Sequence, residues 1–219
     1  MLAPFVQLIA GGIGLGVAGA VALGRRSAER RRREAYGEYA LTHDLAFDAD
    51  CQEPRARIGD GLELFRRGSN HEWRNAFSGR RGGADFTAFE FRFLGGGRGR
   101  GWHDTAVMLW ERPGMVWHDF VVAPEDPIDK VLQLFGTQDI DFSEDKAFST
   151  GYRLQGSNEA AVRQLFGPAV RAFCLSHPGM YAAAYGHELI WWREQPLPDP
   201  AFLDQFIAEG DAFRQLLFK

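Results

Sequence analysis

Residues 1–24 read MLAPFVQLIAGGIGLGVAGAVALG, and RRSAERRRR follows over residues 25–33. Leu2 to Leu23 is a run of 22 residues with no charge and one polar amide, Gln7. At about 1.5 Å per helical residue, about 20 apolar residues cross a hydrocarbon core of ~30 Å. The stretch is therefore read as a single transmembrane helix, and the chain after it as a domain held at the membrane. The same residues imitate three other patterns. Ala18-Gly19-Ala20 resembles a signal-peptide cleavage site, but the positive charge follows the apolar run instead of preceding it. Gly14-Leu15-Gly16-Val17-Ala18-Gly19 matches the G-x-G-x-x-G of a dinucleotide fold. That fold needs a second strand ending in an acid about twenty residues on, where this chain has arginines and no apolar run. A helix buried in a soluble core is also apolar all round, but six arginines within residues 25–33 favour the membrane.

Small residues recur at four-residue spacing along this helix, in one stripe of Ala10, Gly14, Ala18 and Ala22 and a second of Gly12, Gly16 and Ala20. Such stripes let a second helix approach closely, and close packing is what drives association in lipid. Ala10, Gly12, Gly14, Gly16, Ala18 and Ala20 are the expected helix-packing residues. Arg25, Arg26, Arg30, Arg31, Arg32 and Arg33 all flank the C-terminal end of the span. The positive-inside rule then puts the following domain in the cytoplasm, with the N-terminus across the inner membrane. These arginines are expected to meet anionic lipid headgroups.

Past residue 33 the chain holds 186 residues, enough for one domain with its own core. That part carries 19 basic and 28 acidic side chains, a net −9, which repels both nucleic acid and an anionic membrane face. Two cysteines, Cys51 and Cys174, are too few for a disulfide framework.

The expected organisation is a transmembrane helix over 1–24, an Arg-rich juxtamembrane helix over 25–45 and an α+β domain over 46–219. Tyr36, Tyr39, Ala40 and His43 share one face of the second helix. ADFTAFEFRFL (84–94) alternates, with Phe89, Phe91 and Phe93 on one face and Glu90 and Arg92 on the other, as in a half-buried strand. Strands are also expected over 73–79, 102–111, 116–122, 148–155, 180–185 and 188–194, and short helices over 61–67 and 128–135. Ser157 or Asn158 caps a further helix that Pro168 splits. A last helix opens at Asp199-Pro200 and turns Phe202, Leu203, Phe206, Ile207, Phe213, Leu216 and Leu217 inward. The fold class is therefore α+β, a mostly antiparallel sheet packed by C-terminal helices.

Arg112-Pro113-Gly114-Met115 reads as a tight turn joining two strands. In that register Trp110 faces Trp117, a cross-strand aromatic pair and a candidate partner surface. The repeated Trp-His-Asp at 102–104 and 117–119 invites a metal or acid–base site. The same register holds the two histidines ~20 Å apart, so neither is assigned a catalytic role. Asp139-x-Asp141-x-Ser143 begins like a calcium loop but has Glu144 where Gly is needed and Thr150 where Glu is needed. Cys174 falls on an apolar helix face, which suits a core thiol and not a nucleophile. GGGRGRG (95–101) reads as a loop. No catalytic, metal or cofactor residue is assigned.

The stretches WRNAFSGR (73–80), LFGTQDIDF (134–142) and FSTGYRLQGSNEAAVRQLF (148–166), with the closing helix, resemble a family of uncharacterised bacterial proteins. The resemblance covers residues 70–219 and implies a membrane-anchored α+β domain, with no activity to carry over. Together these readings lead to the expectation of a non-enzymatic, single-pass accessory subunit. Its Gly-rich helix packs among the helices of a larger membrane complex, respiratory or photosynthetic. The alternatives are a membrane-tethered enzyme or small-ligand binder with a pocket in the sheet, and a homodimer formed through the small-residue stripes.

Overall fold

The computed structural model describes residues 27–52, 61–96, 100–112, 116–125 and 139–218. Helix α1 spans 27–42 and leads into a short strand β1, Ala46–Asp48. A single turn of 3-10 helix, Glu63–Arg66, precedes three long strands, β2 (Ser69–Arg81), β3 (Ala84–Gly95) and β4 (Gly101–Glu111). Then come β5 (Phe120–Pro124), α2 (Lys146–Gly151), β6 (Tyr152–Gly156), α3 (Glu159–Leu165) and α4 (Pro168–Ser176). A hairpin of β7 (Met180–Tyr185) and β8 (Glu188–Arg193) leads to the last helix, α5 (Pro200–Leu217). The strands form one antiparallel sheet in the order β1-β2-β3-β4-β8-β7-β5-β6. The expected α+β class holds.

Both faces of the sheet are buried. On one face Phe89, Phe91 and Phe93 of β3 lie with Val107, Leu109, Ile190 and Trp192. Leu62, Leu64 and Phe65 around the 3-10 turn cover part of it, with the Phe65 ring 5.2 Å from Phe91 and 4.6 Å from Trp73. The other face carries Phe77, Ala88, Met108, Trp110 and Trp191 beneath α1 and α5. Strand β3 is thus buried on both sides, not half-buried as the alternation implied, and Glu90 is 1% exposed.

The expected hairpin between β4 and the segment after it does not form. Strand β8 lies beside β4 instead, with Trp110 opposite Leu189, and β5 pairs with β6 and β7. The physical reason lies in β8 itself. Trp191 and Trp192 are successive strand residues, so they point to opposite faces, and both are almost wholly buried. A strand apolar on both faces needs a central position. The chain after β4 therefore crosses the end of the β7–β8 hairpin, where Arg112 and Trp117 N–H groups donate to the carbonyls of His187 (3.0 Å) and Gly186 (2.7 Å).

Trp110 and Trp117 are 4% and 5% exposed, and Trp117 packs against Phe218 at 4.9 Å. Covered in this way, they offer no partner surface in the folded chain. A second correction concerns 148–155, whose first half is helical. The Asp145 carboxylate accepts from the Phe148 N–H and so caps α2, and the strand begins only at Tyr152. The cap at Asn158 and the break at Pro168 are where the sequence places them. On α5 the inward stripe is Leu203, Phe206, Ile207, Phe213 and Leu217, while Phe202 is 63% exposed.

Helix α1 belongs to this core. Tyr36, Tyr39 and Ala40 are buried, and Tyr36 meets Phe77 edge-on at 5.2 Å. The Tyr36 hydroxyl donates to the carbonyls of Leu197 (3.1 Å) and Pro198 (3.0 Å), and Tyr39 donates to Asp204 on α5 (2.8 Å). A domain boundary after residue 45 would therefore cut through packed structure. A chain beginning at Ser27 should keep the whole core. One beginning at Glu34 loses Arg32, an ion partner of Glu90, and should be less stable by about 2 kcal/mol. That is below the roughly 3–5 kcal/mol of a broken buried pair, because Arg74 still holds the carboxylate. Urea midpoints of the two chains check this, and equal midpoints would refute it.

Among the described residues no helix is long and apolar enough to cross a membrane. The stretch read as a span, its six packing residues from Ala10 to Ala20, and Arg25 and Arg26 lie outside the described residues, as does the helix expected over 128–135.

Candidate functional site

One line of paired residues crosses five strands on the face beneath α1 and α5. Arg74 of β2 faces Glu90 of β3, Glu90 faces Ala106 of β4, and Ala106 faces Arg193 of β8, which faces Met180 of β7. The line divides the face. On one side of it lie Phe77, Ala88, Met108, Trp110 and Trp191 under the helices. On the other side Glu72, Arg92, Asp104 and Trp102 extend toward the β3–β4 connection.

A bulge sets Arg74 in this line. Arg74 and Phe77 share a face although they are three residues apart, which a regular strand forbids. The pairing slips between them, and Asn75 takes a left-handed φ of 54°. Arg74 then hydrogen-bonds Glu90 from the neighbouring strand. Arg32, one helical turn before Tyr36 on α1, comes down from above with Nη2 3.0 Å from Glu90 Oε2. It also donates to the Leu197 carbonyl at 2.7 Å. Burial works against the Arg32 charge, but the Glu90 carboxylate and Tyr36 outweigh it and the guanidinium pKa moves up. Arg74 also lies 3.6 Å from Asp104, which Arg92 meets at 3.2 Å.

The expected headgroup arginines therefore divide. Arg32 is turned into the domain, so its charge serves Glu90. Arg33 lies 3.4 Å from Glu29 and 3.3 Å from Asp50. Arg30 pairs loosely with Glu34 at 3.5 Å, and Arg31 is exposed. Helix periodicity held the signal that separates them. Arg32 is four residues before Tyr36 and eight before Ala40, on the inward stripe.

Beside this line, where β8 ends, an open groove of about 440 Å³ runs along α5. It is lined by Arg193, Gln195 and Pro198 on one side and Phe202, Phe206 and Glu209 on the other. Arg193 meets Glu209 at 3.0 Å, and Gln205 donates to the same carboxylate at 2.9 Å. The groove lies along a helix and not within the sheet.

The residues weighed for chemistry stay apart. His103 stacks on Phe93 at 5.1 Å on β4, whereas His118 is exposed in the crossing segment. Among the described residues no group of three His, Cys, Asp or Glu side chains is placed to hold a metal ion. Cys174 is buried, and burial pushes its thiol up to about 12. Burial likewise raises Tyr152 to about 12 and moves Tyr36 and Tyr39 well above the ordinary value of 10.0. In the unfolded chain these groups lose protons from about pH 8.5–10, while the folded chain keeps them. The unfolded state then binds fewer protons, so stability present below pH 8.5 is lost as pH rises toward 12. Urea midpoints should fall between pH 8 and pH 11, and a flat profile would contradict this.

The fold is shared with a bacterial transport factor. The crystal structure of the mycobacterial trehalose monomycolate transport factor A, TtfA, aligns over 86% of this chain and 95% of its own, with a TM-score of 0.57 and 13% identity. At that identity the likeness to TtfA is one of fold alone. No family model matches the sequence, and no curated protein matches it.

Proposed function

We propose that this protein is a non-enzymatic accessory subunit of a membrane transport assembly. Residues 1–24 anchor it in the inner membrane, and the α+β domain stands on the cytoplasmic side. The observation that carries this reading is the way α1 is held. The first helix after the apolar run is not a slack tether but is locked to the domain by Arg32 on Glu90 and by Tyr36 on the 197–198 carbonyls. Such a joint fixes the attitude of the domain relative to whatever its anchor packs against, which suits a brace better than a tethered catalyst. The likeness to TtfA supports transport over the respiratory or photosynthetic setting. In this reading Ala10, Gly12, Gly14, Gly16, Ala18 and Ala20 face neighbouring helices, and Arg25, Arg26, Arg30 and Arg31 meet lipid headgroups.

Native purification in mild detergent tests the proposal. Recovery with integral membrane partners is expected, and recovery alone at the monomer mass of 24.5 kDa would sink it. Gly12→Leu with Gly16→Leu should release the partners while leaving the domain folded. If the same pair of changes instead converts a dimer to a monomer, the small-residue stripes pair two copies of this chain. The groove along α5 favours a second reading, a tethered small-ligand binder, because its volume and its few convergent polar groups suit a small ligand. Arg193→Ala should abolish ligand-induced thermal shifts in that case and leave partner recovery unchanged.

A further inference from the structure

Trp102 is an exposed aromatic on an otherwise charged end of the domain. All six tryptophans are described, and of them Trp102, at 42%, is the exposed one. It sits on the α1 face of β4, opposite Leu94, with the Arg92 guanidinium 4.4 Å from its ring centre.

Helix α1 and the β3–β4 hairpin leave the domain at the same end. Along α1, Arg32 meets Glu90, which faces Arg74, and Tyr36 and Tyr39 meet Phe77. The helix therefore follows β2 from Arg74 toward Phe77, and its start points toward the β3–β4 connection. Trp102 lies four residues beyond Ala106 on that side, about 13 Å past the Glu90 line. Helix α1 begins at Ser27, five residues or about 8 Å before Arg32, and in the sequence the uncharged run ends four residues earlier, at Leu23. The sequence segments that lead into this corner of the sheet are rich in arginine. Residues 25–34, 61–74 and 90–104 carry twelve arginines and six acids, whereas the rest of the chain carries 13 basic and 23 acidic side chains.

We propose that the end of the β3–β4 hairpin, through Trp102 with Arg92 and Arg100, docks on the anionic headgroups of the leaflet from which α1 emerges. This rests on the anchor reading given above. The indole takes the interfacial level that tryptophans prefer, and Arg100 meets lipid phosphate beside Arg92, whose charge Asp104 shares at 3.2 Å. The α1 joint fixes the domain relative to its anchor, and the second contact, the hairpin, then fixes it relative to the leaflet surface.

The full chain is reconstituted into vesicles with brominated acyl chains, either phosphatidylcholine alone or phosphatidylcholine with phosphatidylglycerol, and floated on a density gradient. Emission of W102F is subtracted from that of the unaltered chain to isolate Trp102. The expected result is flotation in both lipids, with Trp102 emission quenched in the anionic vesicles and less so as salt rises. Arg100→Gln should weaken docking about fivefold, the worth of one arginine beside an anionic leaflet. Flotation without quenching in the anionic vesicles overturns the docking and leaves the anchor standing. Equal quenching in both lipids overturns the choice of anionic headgroups, and failure to float overturns both readings.

Discussion

Glu90→Ala lowers the unfolding free energy of the domain by about 3 kcal/mol, the low end of what removing one partner of a buried ion pair costs. The low end applies because the two guanidiniums left behind are not wholly enclosed. The Arg32 and Arg74 side chains are 23% and 21% exposed, and Arg74 keeps Asp104 at 3.6 Å. The substitution still leaves two positive groups over one spot where a carboxylate 1% exposed had neutralised them. Glu90→Gln, which keeps the shape and one acceptor, should cost less. Replacing Arg32, Arg74 and Glu90 together by methionine should restore most of the loss, because a buried charge set exchanged whole for apolar groups is often neutral in stability. Urea unfolding at pH 7 with an unchanged m-value reads all three. A loss below about 1 kcal/mol for Glu90→Ala would mean that water reaches the network and that its coupling is that of a surface pair. Hydrogen exchange adds a local readout. Amides in the first two turns of α1 should lose protection in Glu90→Ala before those of β3 and β4, because Glu90 ties that end of the helix to the sheet.

That network also marks how far the sequence could be read. The stripe Tyr36, Tyr39 and Ala40, the alternation of Phe89, Phe91 and Phe93, the Asn158 cap and the Pro168 break are local patterns, and each is in the structure. The pairing of β4 was not legible in this way. A turn-like Arg-Pro-Gly-Met invites the next strand to fold back, and nothing near it says that a hairpin some 70 residues later will occupy the place. The available signal was Trp191-Trp192 in β8, two large apolar neighbours on opposite faces, which mark a strand that must be central. Arg32 was hidden by its company. In a run of four arginines, charge alone does not tell which one turns inward. Its spacing from Tyr36 does, and an acid within the apolar strand ADFTAFEFRFL names the partner. The groove along α5 was not legible at all, because it depends on where the 195–199 segment crosses relative to the helix.

Gly210→Val should cost at least 3 kcal/mol and shift α5 relative to the sheet. Gly210 sits in the middle of α5, where glycine weakens a helix by about 1 kcal/mol relative to alanine. Propensity alone would therefore reward its replacement. The sheet beneath reverses that sign. A Cβ on Gly210 would lie 2.5 Å from Met108 Sδ, 3.2 Å from Trp110 Cη2 and 3.2 Å from Trp191 Cε3. The thioether can swing away, but the two indoles are 4% and 0% exposed and Phe206 already packs on Trp191 at 5.1 Å. The absent side chain is what lets the helix backbone rest on two tryptophan rings. Alanine should therefore cost about 1–2 kcal/mol net, overpacking outweighing its helix preference. Valine, with two more methyl groups and a stiff χ1, cannot be housed without moving the helix. Met108→Ala in the Gly210→Ala background should recover part of the loss, since it removes the atom closest to the new methyl. In an ordinary core the two changes would each destabilise and add; here their coupling should be favourable, because the residues compete for one volume. Urea midpoints of the two single variants and the double close the cycle. Simple additivity would show that α5 does not rest on the sheet at this point.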